Sequence, residues 1–319
     1  TIERNPLSWI STVRDVDLII LGGGTVINHH TFSRRHALIG LIAYLLGIDV
    51  YVIAGAAGES GLSGKLSRRY LELTDAIAVR DERSKRVLRS MGIEEPVDVV
   101  PDPGLVPTPA ESEADFDLPE SYILVCIRSL NRERPVDVAG IASGLDKIHQ
   151  SSDAEIVFFP FKRDDIEIST AVASQMTADA SVFEETYTIA EAESIIDGAE
   201  AVVAMRLHSM ILAAHMRTPF TPISYLPKCD QFLQQIGVTE SYSPFEIDGE
   251  ELASSIRHNL RDQTPIPNSE CQIRALEEDC WEIFDQCDSQ KRDSNSKFAV
   301  SLAVYATVVV IQKILNSVL

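Results

Sequence analysis

Lysine is scarce in this chain. Its 319 residues include 28 Lys and Arg, only 8 of them Lys, against 48 Asp and Glu, for a formal net charge of −20. A surface that acidic repels nucleic acid phosphates and anionic lipid headgroups, which excludes both as general partners. It also repels an anionic substrate unless a local cationic site overrides the field. Acid-rich, lysine-poor surfaces suit proteins of salt-rich cells, where salt screens self-repulsion, and equally an ordinary acidic cytoplasmic protein. Cysteine is sparse too: Cys126, Cys229, Cys271, Cys280 and Cys287 are odd in number and contain no CxxC pair. That pattern excludes a zinc ribbon and a disulfide framework, and no metal-ligand cluster is visible. Cys126 lies in the apolar run 122–127 and reads as a core residue. The chain opens on Thr1 without a signal-peptide pattern, so a reducing, cytoplasmic location is expected. No apolar run reaches the roughly 20 residues of a membrane-spanning helix. The longest, Phe298–Ile311, covers fourteen positions before Gln312 and Lys313. Such a run packs on protein or lies on a membrane surface, so peripheral membrane contact through 298–319 is the expectation, with a full span left open.

What is present is alternation. Val16–Leu21 is a short apolar run closed by Gly22, Gly23 and Gly24, the pattern of a buried parallel strand entering a turn. Arg35–Leu46 has helical spacing and stops at Gly47, and strands follow at Asp49–Ala54, Ala76–Val79 and Val97–Val100, with helices at Lys65–Leu73 and Ser84–Met91. Val106–Glu120 is rich in Pro and acid and has no apolar period, which makes it the expected linker. A second series runs through strands Tyr122–Ile127, Glu155–Phe159, Ala201–Ala204 and Phe220–Ser224. Helices lie near Val136–Gln150, Ile166–Met176, Ile189–Ile196 and His208–Met216. Strands alternating with helices define an α/β class with parallel sheets. The expected organisation is two Rossmann-like domains facing a cleft, 1–107 and 118–247, followed by a C-terminal helical segment with an apolar tail, 248–319.

Open parallel sheets bind ligands at the carboxyl ends of their strands, and three clusters stand there. Gly22, Gly23 and Gly24 can bring backbone amides close to an anion, a weak signal because glycine turns are common. Arg80 ends the strand Ala76–Val79, while Asp81 to Ser84 can open and cap the next helix. The third cluster carries most information: Arg206 and His208 follow the strand Ala201–Ala204 at the start of a helix. A helix amino terminus adds free amides and about half a positive charge. Arg206 can hold phosphate or carboxylate with two bonds, and His208 can pass a proton near neutral pH. Lys228 lies twenty residues past His208, after the next strand, and Arg128 follows the strand 122–127. For Lys228 the rival reading is a solvated lysine at a helix start. His149, His215 and His258 sit on predicted helices and take a structural reading.

The ordered series Asp17–Leu21 with Gly22 to Gly24, Val79-Arg80-Asp81 with Ser84, Asp102-Pro103, and Arg206-Leu207-His208 through Tyr225 and Lys228 resembles the polysaccharide pyruvyl transferase family. The resemblance covers about Asp15 to Gly237. It implies a glycosyltransferase-B-like fold and transfer of a pyruvyl group from phosphoenolpyruvate to a sugar of a cell-surface or exopolysaccharide, forming a ketal. It implies phosphoenolpyruvate as donor substrate, a sugar or glycan acceptor (lipid-linked forms included) and no cofactor. His208 would be the general acid; Arg206, Lys228, Arg80 and Arg128 would bind the donor, with Gly22 to Gly24 as a ligand loop. Arg206, His208 and Lys228 are expected to converge, with Arg80 approaching from the other domain. The family usually opens with a strand and an Asn-Gly-Asp loop ahead of the triple glycine. Here only sixteen residues precede Asp17, which implies a first domain truncated at its N-terminus. The loop Ala54-Gly55-Ala56-Ala57-Gly58-Glu59 lacks the family's Gln, and His29 and His30 fall where relatives vary, toward an acceptor site. Two other functions suit the same residues: a glycosyltransferase using a nucleotide sugar, and a noncatalytic sugar-binding paralogue.

Overall fold

The computed structural model of the chain describes residues 12–22, 34–55, 68, 70–105, 116–130, 133–185, 187–262 and 273–279. It divides into two compact units, Thr1–Pro103 with Leu276–Leu319, and Gly104–Ala275. Gly23, Gly24, His29, His30, the first three residues of the predicted helix Lys65–Leu73, most of the predicted linker and the apolar tail 298–319 lie outside the described residues.

The first unit alternates β1 (Leu18–Gly22), α1 (Arg34–Leu46), β2 (Asp49–Gly55), β3 (Ala76–Val79), α2 (Glu82–Ser90) and β4 (Asp98–Val99). Its four strands are parallel, in spatial order β1-β2-β3-β4. Side-chain alternation splits the strands between two faces. Val50, Val52, Ile77 and Val79 pack with Leu71, Leu88 and Ile93. Ile20, Tyr51, Ile53, Ala78 and Val100 form the opposite face. Gly47 and Gly92 stop α1 and α2 at positive φ, +68° and +83°, where a side chain would be strained.

The second unit contains β5 (Tyr122–Cys126), α3 (Val138–His149), β6 (Glu155–Phe158), α4 (Asp164–Ala173), β7 (Ala180–Val182), α5 (Ile189–Asp197), β8 (Ala201–Ala204), α6 (Leu207–Met216), β9 (Phe220–Pro222), α7 (Pro227–Gln235) and α8 (Gly249–Asp262). All five strands run parallel in the order β7-β6-β5-β8-β9, so the chain reverses direction across the sheet between β5 and β8. In doubly wound sheets that reversal opens a crevice at the strands' carboxyl ends. β5 and β8 are buried along their whole length, which explains why both read as unbroken apolar runs. β7 is short, only partly buried and at the sheet edge; nothing in its sequence, Ala-Ser-Val, announced a strand.

The expected division at residue 248 does not hold for α8. Leu252 and Ile256 join Ile141, Leu145 and Ile148 of α3 in the core of the second unit. Two glycines one turn apart on α3 allow the approach. A Cβ at Gly140 would lie 2.3 Å from the Ile247 carbonyl oxygen, and one at Gly144 would lie 2.8 Å from a Leu252 methyl. Asp137 closes the same contact, accepting from Gly140 N as the cap of α3 and from Ile247 N, both at 3.0 Å. Residues 248–262 therefore complete the second unit and do not form a separate segment.

Candidate functional site

Glycine at position 22 has a structural cause. It is the last residue of β1, opposite Ile53, and a Cβ there would sit 3.0 Å from the Ile53 carbonyl oxygen. Close strand approach accounts for the glycine inside the sheet, whatever the loop that follows it does.

Arg80 stands at the carboxyl end of β3, where the sequence put it, but its surroundings differ from those of a donor cation. It is 6% exposed. Its Nη1 donates to Asp102 Oδ2 at 3.2 Å, and its Nε lies 3.6 Å from Asp81 Oδ2. Asp81 also caps α2, accepting from Ser84 N at 2.6 Å, as its position before a helix suggested. Two carboxylates compensate one guanidinium, so Arg80 ties the ends of β3 and β4 together and offers little charge to a ligand. The expected donor-binding role of Arg80 thus meets a cation that already has two carboxylate partners.

The carboxyl edge of the second sheet is different. Arg128 follows β5, its Nη1 donating to the Tyr225 hydroxyl at 2.9 Å and its guanidinium lying 4.8 Å from that ring's centroid. Lys228 Nζ is 5.8 Å from the same centroid, within cation–π range. Tyr225 thus brings Arg128 and Lys228 to one ring, from the ends of β5 and β9.

Arg206 follows β8 and is gripped by Asp165 at the start of α4. Nε donates to Oδ2 and Nη2 to Oδ1, both at 2.5 Å, and Asp165 is fully buried. Asp165 Oδ2 also accepts from Lys162 N at 3.1 Å, fixing the β6–α4 turn. Phe161 anchors that turn from the other side, edge-on to Phe159 at 5.4 Å. Lys162 itself is half-buried, and its ammonium pKa is lowered, first by burial and then by the charges of Arg206 and Arg128. Arg128 and Arg206 both act on Lys162, opposed by Asp165 and Asp164, which joins the two groups into one cluster where β5, β6 and β8 end.

His208 is the second residue of α6 and half-buried, two positions beyond Arg206. Arg206 is the cap of α6, with no side-chain capping bond, and Leu226 caps α7 in the same manner. Two helix amino termini thus start at this edge with their positive ends uncapped by side chains. The structure places Arg206, His208, Arg128 and Lys228 on one edge of one sheet. His149, His215 and His258 lie on α3, α6 and α8. Lys162 and Asp165 were missed by sequence reasoning, although Lys162 satisfies the criterion that found Arg206: it follows a buried strand. The apolar neighbours Phe159, Pro160 and Phe161 hid it. Asp165 could be read only as a helix-start acid. Among the described residues no group of His, Cys, Asp and Glu could hold a metal ion, and no helix is long and apolar enough to cross a membrane. Cys126 and Cys229 are buried thiols whose pKa values burial raises, Cys126 strongly.

Two parallel Rossmann-like units of this kind define a glycosyltransferase-B-like α/β fold, and solved structures share it. A protein assigned as a UDP-N-acetylglucosamine 2-epimerase from Listeria monocytogenes superposes with a TM-score of 0.62 at 10% identity, over 92% of this chain and 83% of that one. The UDP-GlcNAc 2-epimerase of Methanocaldococcus jannaschii gives 0.55 at 14% identity, over 86% and 81%. An α,α-trehalose-phosphate synthase (UDP-forming) from Burkholderia vietnamiensis gives 0.52 at 9% identity, over 88% and 76%. At such identities the likeness is one of fold. No curated protein matches the sequence significantly. The family is fixed independently: the polysaccharide pyruvyl transferase model matches residues 2–227, and the chain belongs to that family.

Proposed function

We propose that this protein transfers the pyruvyl group of phosphoenolpyruvate to two hydroxyls of a polysaccharide sugar, forming a cyclic ketal and releasing phosphate. One observation carries the reading beyond the family: Arg128, Lys162, Arg206 and Lys228 gather at the carboxyl edge of the second sheet in a protein of net charge −20. A donor with a carboxylate and a phosphate calls for such a concentration of cations. His208 protonates the enol methylene, leaving cationic character on the central carbon, which the phosphate-bearing oxygen stabilises. A sugar hydroxyl adds there and loses its proton. The carbon–oxygen bond to phosphate then breaks, the first sugar oxygen stabilises the new cation, and the second hydroxyl adds, giving up its proton to the released phosphate, to close the ketal. Arg206, Lys162, Arg128 and Lys228 neutralise the donor's carboxylate and the departing phosphate. The chemistry asks for no metal or cofactor.

A nucleotide sugar is the second reading, and fold likeness to UDP-sugar enzymes is the observation in its favour, since a diphosphate would also suit these cations. The test is phosphate release from phosphoenolpyruvate across a panel of sugars and glycans, run beside a panel of UDP-sugars. Acceptor-dependent phosphate release supports pyruvyl transfer. Turnover of UDP-sugars alone contradicts it.

A further inference from the structure

Asp165 poses a puzzle. Its side chain is 1% exposed, and it lies against the cations proposed to bind an anion. By Coulomb's law alone a carboxylate there weakens the site, because it cancels part of the field that draws the donor in. Its geometry shows another effect. Asp165 takes the Nε–Nη2 edge of Arg206 with both oxygens, the side-on arrangement in which guanidinium and carboxylate are coplanar partners. Among the described residues Nη1 meets no hydrogen-bond acceptor, while the Arg206 side chain keeps 13% of its exposure. The far edge of the guanidinium therefore remains available and held at a fixed angle. The same Oδ2 that receives Nε also receives Lys162 N, so one buried carboxylate sets both the Arg206 plane and the turn carrying Lys162.

We propose that Asp165 is a positioning residue, holding Arg206 side-on and pinning the Lys162 turn so that both cations stand in place before an anion arrives. This rests on the reading that the edge binds the donor's anionic groups. A long arginine side chain loses rotamer freedom when it binds a ligand; a partner that has already fixed it removes that loss from the binding step. The two accounts of Asp165 predict opposite signs. As a mere negative charge, its removal tightens anion binding. As a positioning residue, its removal weakens it.

The experiment titrates phosphoenolpyruvate, and separately inorganic phosphate, into the full chain as wild type, Asp165→Asn, Arg206→Ala and the double variant. Asp165→Asn keeps the shape and loses the paired grip. Its affinity for phosphoenolpyruvate should fall about 10–100-fold, the range seen when an orienting partner of a ligating side chain is lost, with KM moving more than kcat. Asp165→Asn should add nothing in the Arg206→Ala background, because the side chain it positions is gone. Unchanged or tighter binding, or full additivity of the two substitutions, overturns the proposal. Slow rotation of the Arg206 guanidinium, seen as separate Nη hydrogens in nitrogen-edited NMR spectra of the wild type, is a second readout that needs no variant to fold. A fast-averaging guanidinium overturns the proposal as well. If the wild type binds neither ligand, the donor reading fails while the spectrum still decides the positioning role.

Discussion

Arg80 and Arg206 present the same signal in the sequence, an arginine within two residues of a buried parallel strand, and the two units treat them oppositely. In the first unit Arg80 is buried between Asp81 and Asp102, two carboxylates for one cation. In the second, Arg206 is paired with the one carboxylate of Asp165, and Lys162 beside it feels Arg206 and Arg128 as well as Asp165 and Asp164. Strand-end position selects residues that reach the carboxyl edge of a sheet; the balance of charge around them decides whether they serve a ligand or the fold. That balance comes from residues distant in sequence, such as Asp102, 22 positions from Arg80, and Asp165, 41 from Arg206.

The comparison breaks most visibly at His208. Replacing it with alanine should lower turnover about 10²–10⁴-fold through loss of the proton donor, with donor affinity changed far less because the cations remain. Normal turnover in His208→Ala removes it as the general acid.

Next in size is stability at Arg80. Arg80→Ala leaves Asp81 and Asp102 buried without their cation and should destabilise the fold by about 3–5 kcal/mol, as for breaking other buried pairs. Urea unfolding measures it. A loss near zero would mean that the carboxylates are not held by Arg80.

Lys162 sharpens the contrast through pH. Its pKa is lowered by burial, Arg206 and Arg128, so its charge is lost at a lower pH than an ordinary lysine loses its own. Phosphoenolpyruvate affinity should therefore fall as pH rises through that lowered pKa. Lys162→Arg, which stays charged, should carry binding to higher pH. Identical pH profiles for the two proteins would exclude Lys162 from the site.

The smallest effect concerns Tyr122, at the start of β5. Its hydroxyl donates to the Ile195 carbonyl at 2.6 Å, and its pKa is pushed up to about 12, by burial first and Asp197 second. The fold holds the neutral phenol, so this contribution is complete below pH 10, the ordinary tyrosine value, and disappears as pH rises through 12. Tyr122→Phe should cost about 1 kcal/mol near neutrality and flatten the loss of stability across the alkaline range. An unchanged alkaline slope would assign that loss to other groups.

Much of the fold was legible. The apolar runs of β5 and β8 could only be fully buried strands, and the glycine stops at Gly47 and Gly92 fixed two helix ends. β7 was illegible because an edge strand of three residues buries too little to leave a pattern. The membership of α8 was hidden because it depends on a contact across more than a hundred residues, made by Gly140 and Gly144, and absent glycine side chains leave no hydrophobic signal. At the site, strand ends identified Arg206, His208, Arg128 and Lys228 as residues of one edge. They could not reveal that Asp165 would organise Arg206, nor that Asp81 and Asp102 would neutralise Arg80, since counter-ions are matched only in three dimensions.

The central claim is that the cations of the second unit, and not the buried arginine of the first, bind the donor. Calorimetric titration of phosphoenolpyruvate into folded wild type, Arg206→Ala and Arg80→Lys tests it most directly. The account predicts that affinity falls at least tenfold in Arg206→Ala, the loss of one charge-assisted contact worth about 1.5–3 kcal/mol, and that Arg80→Lys binds as the wild type does. Wild-type affinity in Arg206→Ala together with lost affinity in Arg80→Lys would contradict it.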